Sequence, residues 1–168
     1  MNTIGRKLET AANIAIIAVA VLFSAVIIQK YLLPSSSQPE RVQPVIGKQM
    51  NLSDVNWTSQ PKTLVLALST TCHFCNESAP FYRRLIESVK GKNVKLVAVF
   101  PTETEAGRAH LKELGLADLE VRRSPLESMQ VSGTPTLILT NDKGEVTDYW
   151  LGKLPPDKET QVINKLNS

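Results

Sequence analysis

The chain has 168 residues, a formal charge of +3, two cysteines and 42% hydrophobic residues. That length allows one ordinary domain, large enough to fold without disulfide staples, with little left over. The composition excludes a wholly disordered or collagen-like chain, and two cysteines exclude a disulfide-dense scaffold or a four-cysteine zinc site. The first 44 residues carry Arg6, Lys7, Lys30 and Arg41 against Glu9 and Glu40, a net +2, which leaves +1 on the remainder. A nearly neutral domain lacks the electrostatic footprint of a nucleic-acid binder, so no nucleic-acid partner is expected.

From Thr10 to Gln29 there is no charge, and Ala11–Ile28 is polar only at Asn13 and Ser24. A helix of ~20 residues reaches ~30 Å, the thickness of a hydrocarbon core. The alternatives are a buried core helix and a cleaved signal peptide. The run is apolar on all sides, which disfavours the first. It is long, and it exits through Gln29-Lys30-Tyr31-Leu32-Leu33 with no small-residue cleavage pattern, which disfavours the second. Residues 11–33 therefore read as a transmembrane signal-anchor. Arg6 and Lys7 lie before the span and only Lys30 close behind it, a bias that puts residues 1–10 in the cytoplasm and the rest on the periplasmic side. Tyr31 suits the interfacial belt. Residues 34–44, PSSSQPERVQP, read as an extended linker, and 45–168 as the soluble domain.

Within that domain strands and helices alternate. Leu64–Leu68 is a continuous apolar run, as in a strand covered on both faces. A helix is predicted from about Cys72 to Lys90, kinked at Pro80 and stopped by Gly91. Val94–Phe100 is the next buried strand. Thr102 and Glu105 form a capping box for a helix to about Leu114, ended by Gly115. Leu119–Val121 is a short strand. Thr136–Thr140 and Glu145–Leu151 flank Asn141-Asp142-Lys143-Gly144, a hairpin signal, and Pro155-Pro156 opens a last helix. The pattern implies an α/β domain, a mixed sheet with helices on both faces.

Both cysteines fall in Cys72-His73-Phe74-Cys75, after a buried strand and at a helix start. Free N–H groups there stabilise a thiolate. Cys72, at the tip, is the expected nucleophile. Cys75, one turn on and more buried, is the expected resolving thiol, and the spacing lets the pair close a disulfide and cycle through mixed disulfides. A static structural disulfide is the bland alternative. A protonated His73 would favour the thiolate and raise the reduction potential, or it is simply an exposed polar residue. Phe74 is either an apolar contact for partners or a cover over Cys75. Only His73 and His110 could add metal ligands, and His110 reads as a solvated mid-helix side chain. No metal and no cofactor are expected.

A second motif, Val131-Ser132-Gly133-Thr134-Pro135-Thr136, leads straight into a strand. Strand, C-x-x-C, helix with an internal proline, then G-T-P-T and a hairpin resembles the thioredoxin fold. The resemblance implies that Pro135 is cis and faces Cys72, and that Thr134 offers backbone hydrogen bonds to an extended substrate. Otherwise Pro135 is an ordinary trans proline at a strand start. Ile46-Gly47-Lys48 with Asn51-Leu52-Ser53-Asp54, Pro80 five residues after Cys75, and Asn141–Val146 are similar to the membrane-anchored TlpA/ResA-like branch and imply its N-terminal hairpin. The chain departs from these families. Thr71 stands where thioredoxins usually carry tryptophan, Leu64–Leu68 holds no buried acid, and Ser78 occupies the position of the branch's glutamate. Glu77 lies one residue early, rotated by about 100°.

The leading expectation is a membrane-anchored thiol–disulfide oxidoreductase. Its partners would be protein thiols and disulfides and a membrane redox protein that donates or accepts electrons. A peroxiredoxin-type peroxidase is an alternative, although Val65 and Ser69 break that family's P-x-x-x-T-x-x-C motif. A copper-binding module and a non-catalytic thioredoxin-like module are the others.

Overall fold

A computed structural model describes residues 3–27, 43–52 and 55–168. Met1–Arg41 and Val42–Ser168 form separate compact units. In the first, helix α1 spans Thr3–Ile27, beginning well before the uncharged run. Its apolar side chains are exposed, among them Ile14, Ile17, Leu22 and Phe23. The described side chains cover the apolar run only in part, and among the described residues no helix is long and apolar enough to cross a membrane. Tyr31 and residues 34–42 of the expected linker lie outside the described residues. Pro44, the last linker position, is already buried in the second unit.

The second unit is built on five strands: β1 Lys62–Ala67, β2 Val94–Phe100, β3 Glu120–Arg123, β4 Thr136–Asn141 and β5 Val146–Leu151. Their order is β3-β2-β1-β4-β5. Strands β1, β2 and β3 run parallel, and β4 and β5 are antiparallel. The apolar run of β1 places it at the centre, with Val65 opposite both Val97 and Ile138. Side chains alternate across the sheet. Leu64, Leu66 and Leu68 enter one core, and Val65 and Ala67 the other.

The first core holds Phe81, Tyr82 and Leu85 of α3 (Ala79–Val89), Leu111 of α4 (Thr104–Glu113), and Val162 and Leu166 of α5 (Pro156–Asn167). The opposite core is closed differently from the expectation of helices on both faces. Met50, Leu52 and Val55 cover it, together with Trp57 and Met129 from two short 3-10 helices, Trp57–Ser59 and Leu126–Met129. The crossovers β1–α3–β2 and β2–α4–β3 step the same way along the sheet. Right-handed connections then put both helices on one side.

Three local expectations are corrected. The expected helix over 72–90 is two helices, α2 His73–Glu77 and α3, meeting at Ser78. Proline has no N–H to donate and its ring crowds the preceding turn, so Pro80 sits in the first turn of a new helix instead of kinking a continuous one. The capping box does not form. Glu103 is the N-cap of α4 without a side-chain cap, its carboxylate is 2.8 Å from Arg123, and its carbonyl accepts from Gly107 N–H at 3.1 Å. Thr102 is thus outside the helix. Finally, 43–52 makes no hairpin of its own. It lies along the β4–β5 connection through one bridge, Gln49 to Glu145, and Gly47 and Met50 donate to the carbonyls of Val146 and Gly144. The outer edge of β5 offered partners that a free hairpin would lack. Ser53 and Asp54 lie outside the described residues.

Candidate active site

Cys72 and Cys75 are disulfide-bonded, with Cα atoms 5.2 Å apart. Cys72 is the N-cap of α2, and its Sγ accepts the Cys75 N–H at 3.1 Å. An N-cap leaves backbone donors free, and here one of them is spent on the sulfur of the cap residue itself. A thiolate at Cys72 would receive the same donation, which lowers its proton affinity. The two sulfurs differ in access. Cys72 is half-buried, whereas Cys75 is 1% exposed and packs in the core with Tyr82 and Leu85.

The second motif meets the first across the sheet end. The Thr134–Pro135 bond is cis. The Thr134 carbonyl oxygen lies 3.3 Å from Cys72 Sγ, so it can accept a hydrogen bond from the Cys72 thiol when the pair is reduced. Pro135 is buried, and its carbonyl accepts the Gly152 N–H at 2.7 Å. The Thr136 hydroxyl donates to the Gly133 carbonyl at 2.6 Å and fixes the turn before β4.

The residues between the cysteines point outward. Phe74 is 54% exposed, so it presents an apolar face to solvent and does not cover Cys75. His73 is exposed, and its Nε2 is 3.1 Å from Glu77 Oε1 one turn along. The other carboxylate oxygen of Glu77 is 2.9 Å from Lys153 Nζ. Lys153 foremost, and His73 after it, hold the Glu77 carboxyl below its ordinary range. Both carboxylate oxygens of Glu77 are thus engaged by neighbouring side chains at the surface.

Ser78 is buried, and its hydroxyl donates to the Phe74 carbonyl at 2.8 Å. Four residues on, the Tyr82 hydroxyl is buried with no partner at hydrogen-bond geometry, and burial pushes its pKa up. Among the described residues no aspartate or glutamate is buried. His110 differs from the expected solvated side chain. It is half-buried, its Nε2 has no partner, and its ring meets Phe100 edge-on at 6.3 Å.

Two site neighbours escaped the sequence reading, Lys153 and Leu151. Leu151 is 37% exposed, and its side chain lies beside Gly133. Lys153 reaches Glu77 across 76 positions, a separation at which no local pattern signals a pair.

No family model matches the chain, and no curated protein matches it in sequence. Solved structures do match. The thioredoxin domain of a thiol-disulfide oxidoreductase from Bacteroides vulgatus aligns with TM-score 0.59 and 16% identity, over 73% of this chain and 98% of that one. A thiol:disulfide interchange protein from a Bacteroides species aligns with TM-score 0.56 and 20% identity, over 76% and 89%. StoA from Bacillus subtilis aligns with TM-score 0.53 and 18% identity, over 73% and 97%. At these identities the likeness carries the architecture. The second unit, with a disulfide at the start of α2 and the carbonyl before a cis-proline beside it, has the thioredoxin fold.

Proposed function

We propose that the protein is a thiol–disulfide oxidoreductase acting on protein cysteines, with Cys72 as nucleophile and Cys75 as resolving thiol. The observation that carries this is the asymmetry of the disulfide. One sulfur is accessible, accepts a helix-start N–H and lies 3.3 Å from the Thr134 carbonyl, and the other is buried. The names of the structural neighbours agree with it. As a reductase, the Cys72 thiolate attacks one sulfur of a substrate disulfide. A mixed disulfide forms, and the other substrate sulfur leaves as thiolate and takes a proton. Cys75 then loses its proton and attacks Cys72 Sγ, which closes the disulfide and releases the second substrate thiol. The substrate gains two electrons and two protons, and a partner must return them to the protein. As an oxidase the same steps run backwards. Thr134 and Pro135 bind the substrate backbone, and His73 and Phe74 border its path.

The proposal extends to the N-terminal segment as a membrane anchor, with the redox unit on the extracytoplasmic side and a membrane redox protein as partner. Its support is the uncharged run Ala11–Ile28 and the Arg6/Lys7 bias. The domain limits expected above, 1–10, 11–33, 34–44 and 45–168, belong to this proposal.

The test is mixed-disulfide capture. Cys75→Ser is expected to trap partner proteins as reducible adducts on non-reducing gels, and Cys72→Ser to trap none. Failure of Cys75→Ser to capture any protein in cells would remove the proposed exchange. Protease protection in oriented membrane vesicles separates the topology proposal. Digestion of residues 45–168 from the extracytoplasmic side supports it, and digestion only from the cytoplasmic side overturns it.

A further inference from the structure

The segment after β5 touches both halves of the site. Gly152 N–H binds the carbonyl of Pro135, and the next residue, Lys153, binds Glu77 at the end of the helix that carries both cysteines. Glu77 in turn holds His73, the neighbour of Cys72. We propose that Lys153 and Glu77 are a positioning pair that sets the redox balance of Cys72, with Lys153 favouring the dithiol and Glu77 the disulfide. This rests on the oxidoreductase reading.

The physical basis is short-range charge. Glu77 lies five residues beyond Cys72, an axial rise of about 8 Å between backbone positions, comparable to a Debye length at physiological salt. Reduction of the disulfide creates a Cys72 thiolate, and fixed charges at that distance act on it while leaving the neutral disulfide untouched. The charged and titratable groups that this pair links at the cysteine-bearing helix are His73, Glu77 and Lys153. The cation of Lys153 stabilises the thiolate. The anion of Glu77 opposes it, an effect that Lys153 offsets. The side chains are partly solvated (Glu77 38% and Lys153 48% exposed), so each effect is modest.

The reaction to measure consumes the protein disulfide and two glutathione thiols and yields the protein dithiol and one glutathione disulfide. Full-length protein in detergent at neutral pH serves, with alkylation reporting the dithiol fraction. Lys153→Met is expected to move the equilibrium constant about two- to five-fold toward the protein disulfide, and Glu77→Gln by a similar factor toward the dithiol. Lys153→Arg should stay near the parent. The double variant should fall between the single ones, and both shifts should shrink in high salt. Shifts in the same direction, or none in either variant, would overturn the pair's role, since a merely structural loosening of α2 gives no opposite signs. A parent protein whose disulfide never equilibrates with glutathione would instead sink the oxidoreductase reading, and this inference with it.

Discussion

Tyr82 shows how much one atom can decide. Its hydroxyl is buried near the Ser78 side chain with no partner at hydrogen-bond geometry, and its ring packs in the same core as Cys75. Burying an unpaired hydroxyl costs stability, whereas the ring contributes apolar burial. Tyr82→Phe is therefore expected to be neutral or to stabilise by about 1 kcal/mol in urea unfolding. A loss above that would reveal a hydrogen bond that the hydroxyl makes in solution. Two glycines carry the opposite sign. A Cβ at Gly107 would lie 2.8 Å from the Phe100 ring, and one at Gly144 would lie 2.8 Å from Trp57 with φ at +75°. Gly107→Ala and Gly144→Ala should each cost about 1–3 kcal/mol by the same measurement, the second through backbone strain as well as contact. The hairpin turn at Gly144 was legible from Asn141-Asp142-Lys143-Gly144. The tryptophan above it was not, because Trp57 arrives from a distant segment.

At the scale of elements, α2 is too short to hold itself. Its five residues make few internal bonds, and Lys153 ties its last residue to the segment after β5. The depressed pKa of Glu77 has a definite sign. A carboxyl held below its ordinary value in the folded state contributes stability above that value and loses it as pH falls through the folded one. Acidification below the ordinary value of 4.5 should thus loosen α2. Faster proteolysis or hydrogen exchange of 73–77 in mild acid would show this, and Glu77→Gln should remove that pH dependence. A flat profile in the parent would count against the tie. The break at Ser78 was half legible. Pro80 announced an interruption, but whether the chain kinks or restarts depends on what α3 packs against. Phe81, Tyr82 and Leu85 orient it on the core.

At the scale of the whole molecule, the second core has no α-helix over it among the described residues. Met50, Leu52 and Val55 supply part of its cover from the stretch just after the expected linker. Residues 42–168 should fold alone, since that unit is compact by itself. Deletion through residue 55 should strip that cover, lower the thermal midpoint and expose dye-binding apolar surface. A shortened chain as stable as 42–168 would show that the second core closes without it.

Beyond the resemblance to the thioredoxin fold, the sequence by itself determined the strands, the C-x-x-C at a helix start and the alternation of strands and helices. These depend on periodicity, turn chemistry and spacing, which act over a few residues. Only the tertiary structure decided which face each helix covers, where residues 43–52 lie, that Phe74 faces solvent and that Lys153 holds Glu77. Each of these is a choice among distant partners, made by packing and charge across the sheet, and local sequence carries no record of it.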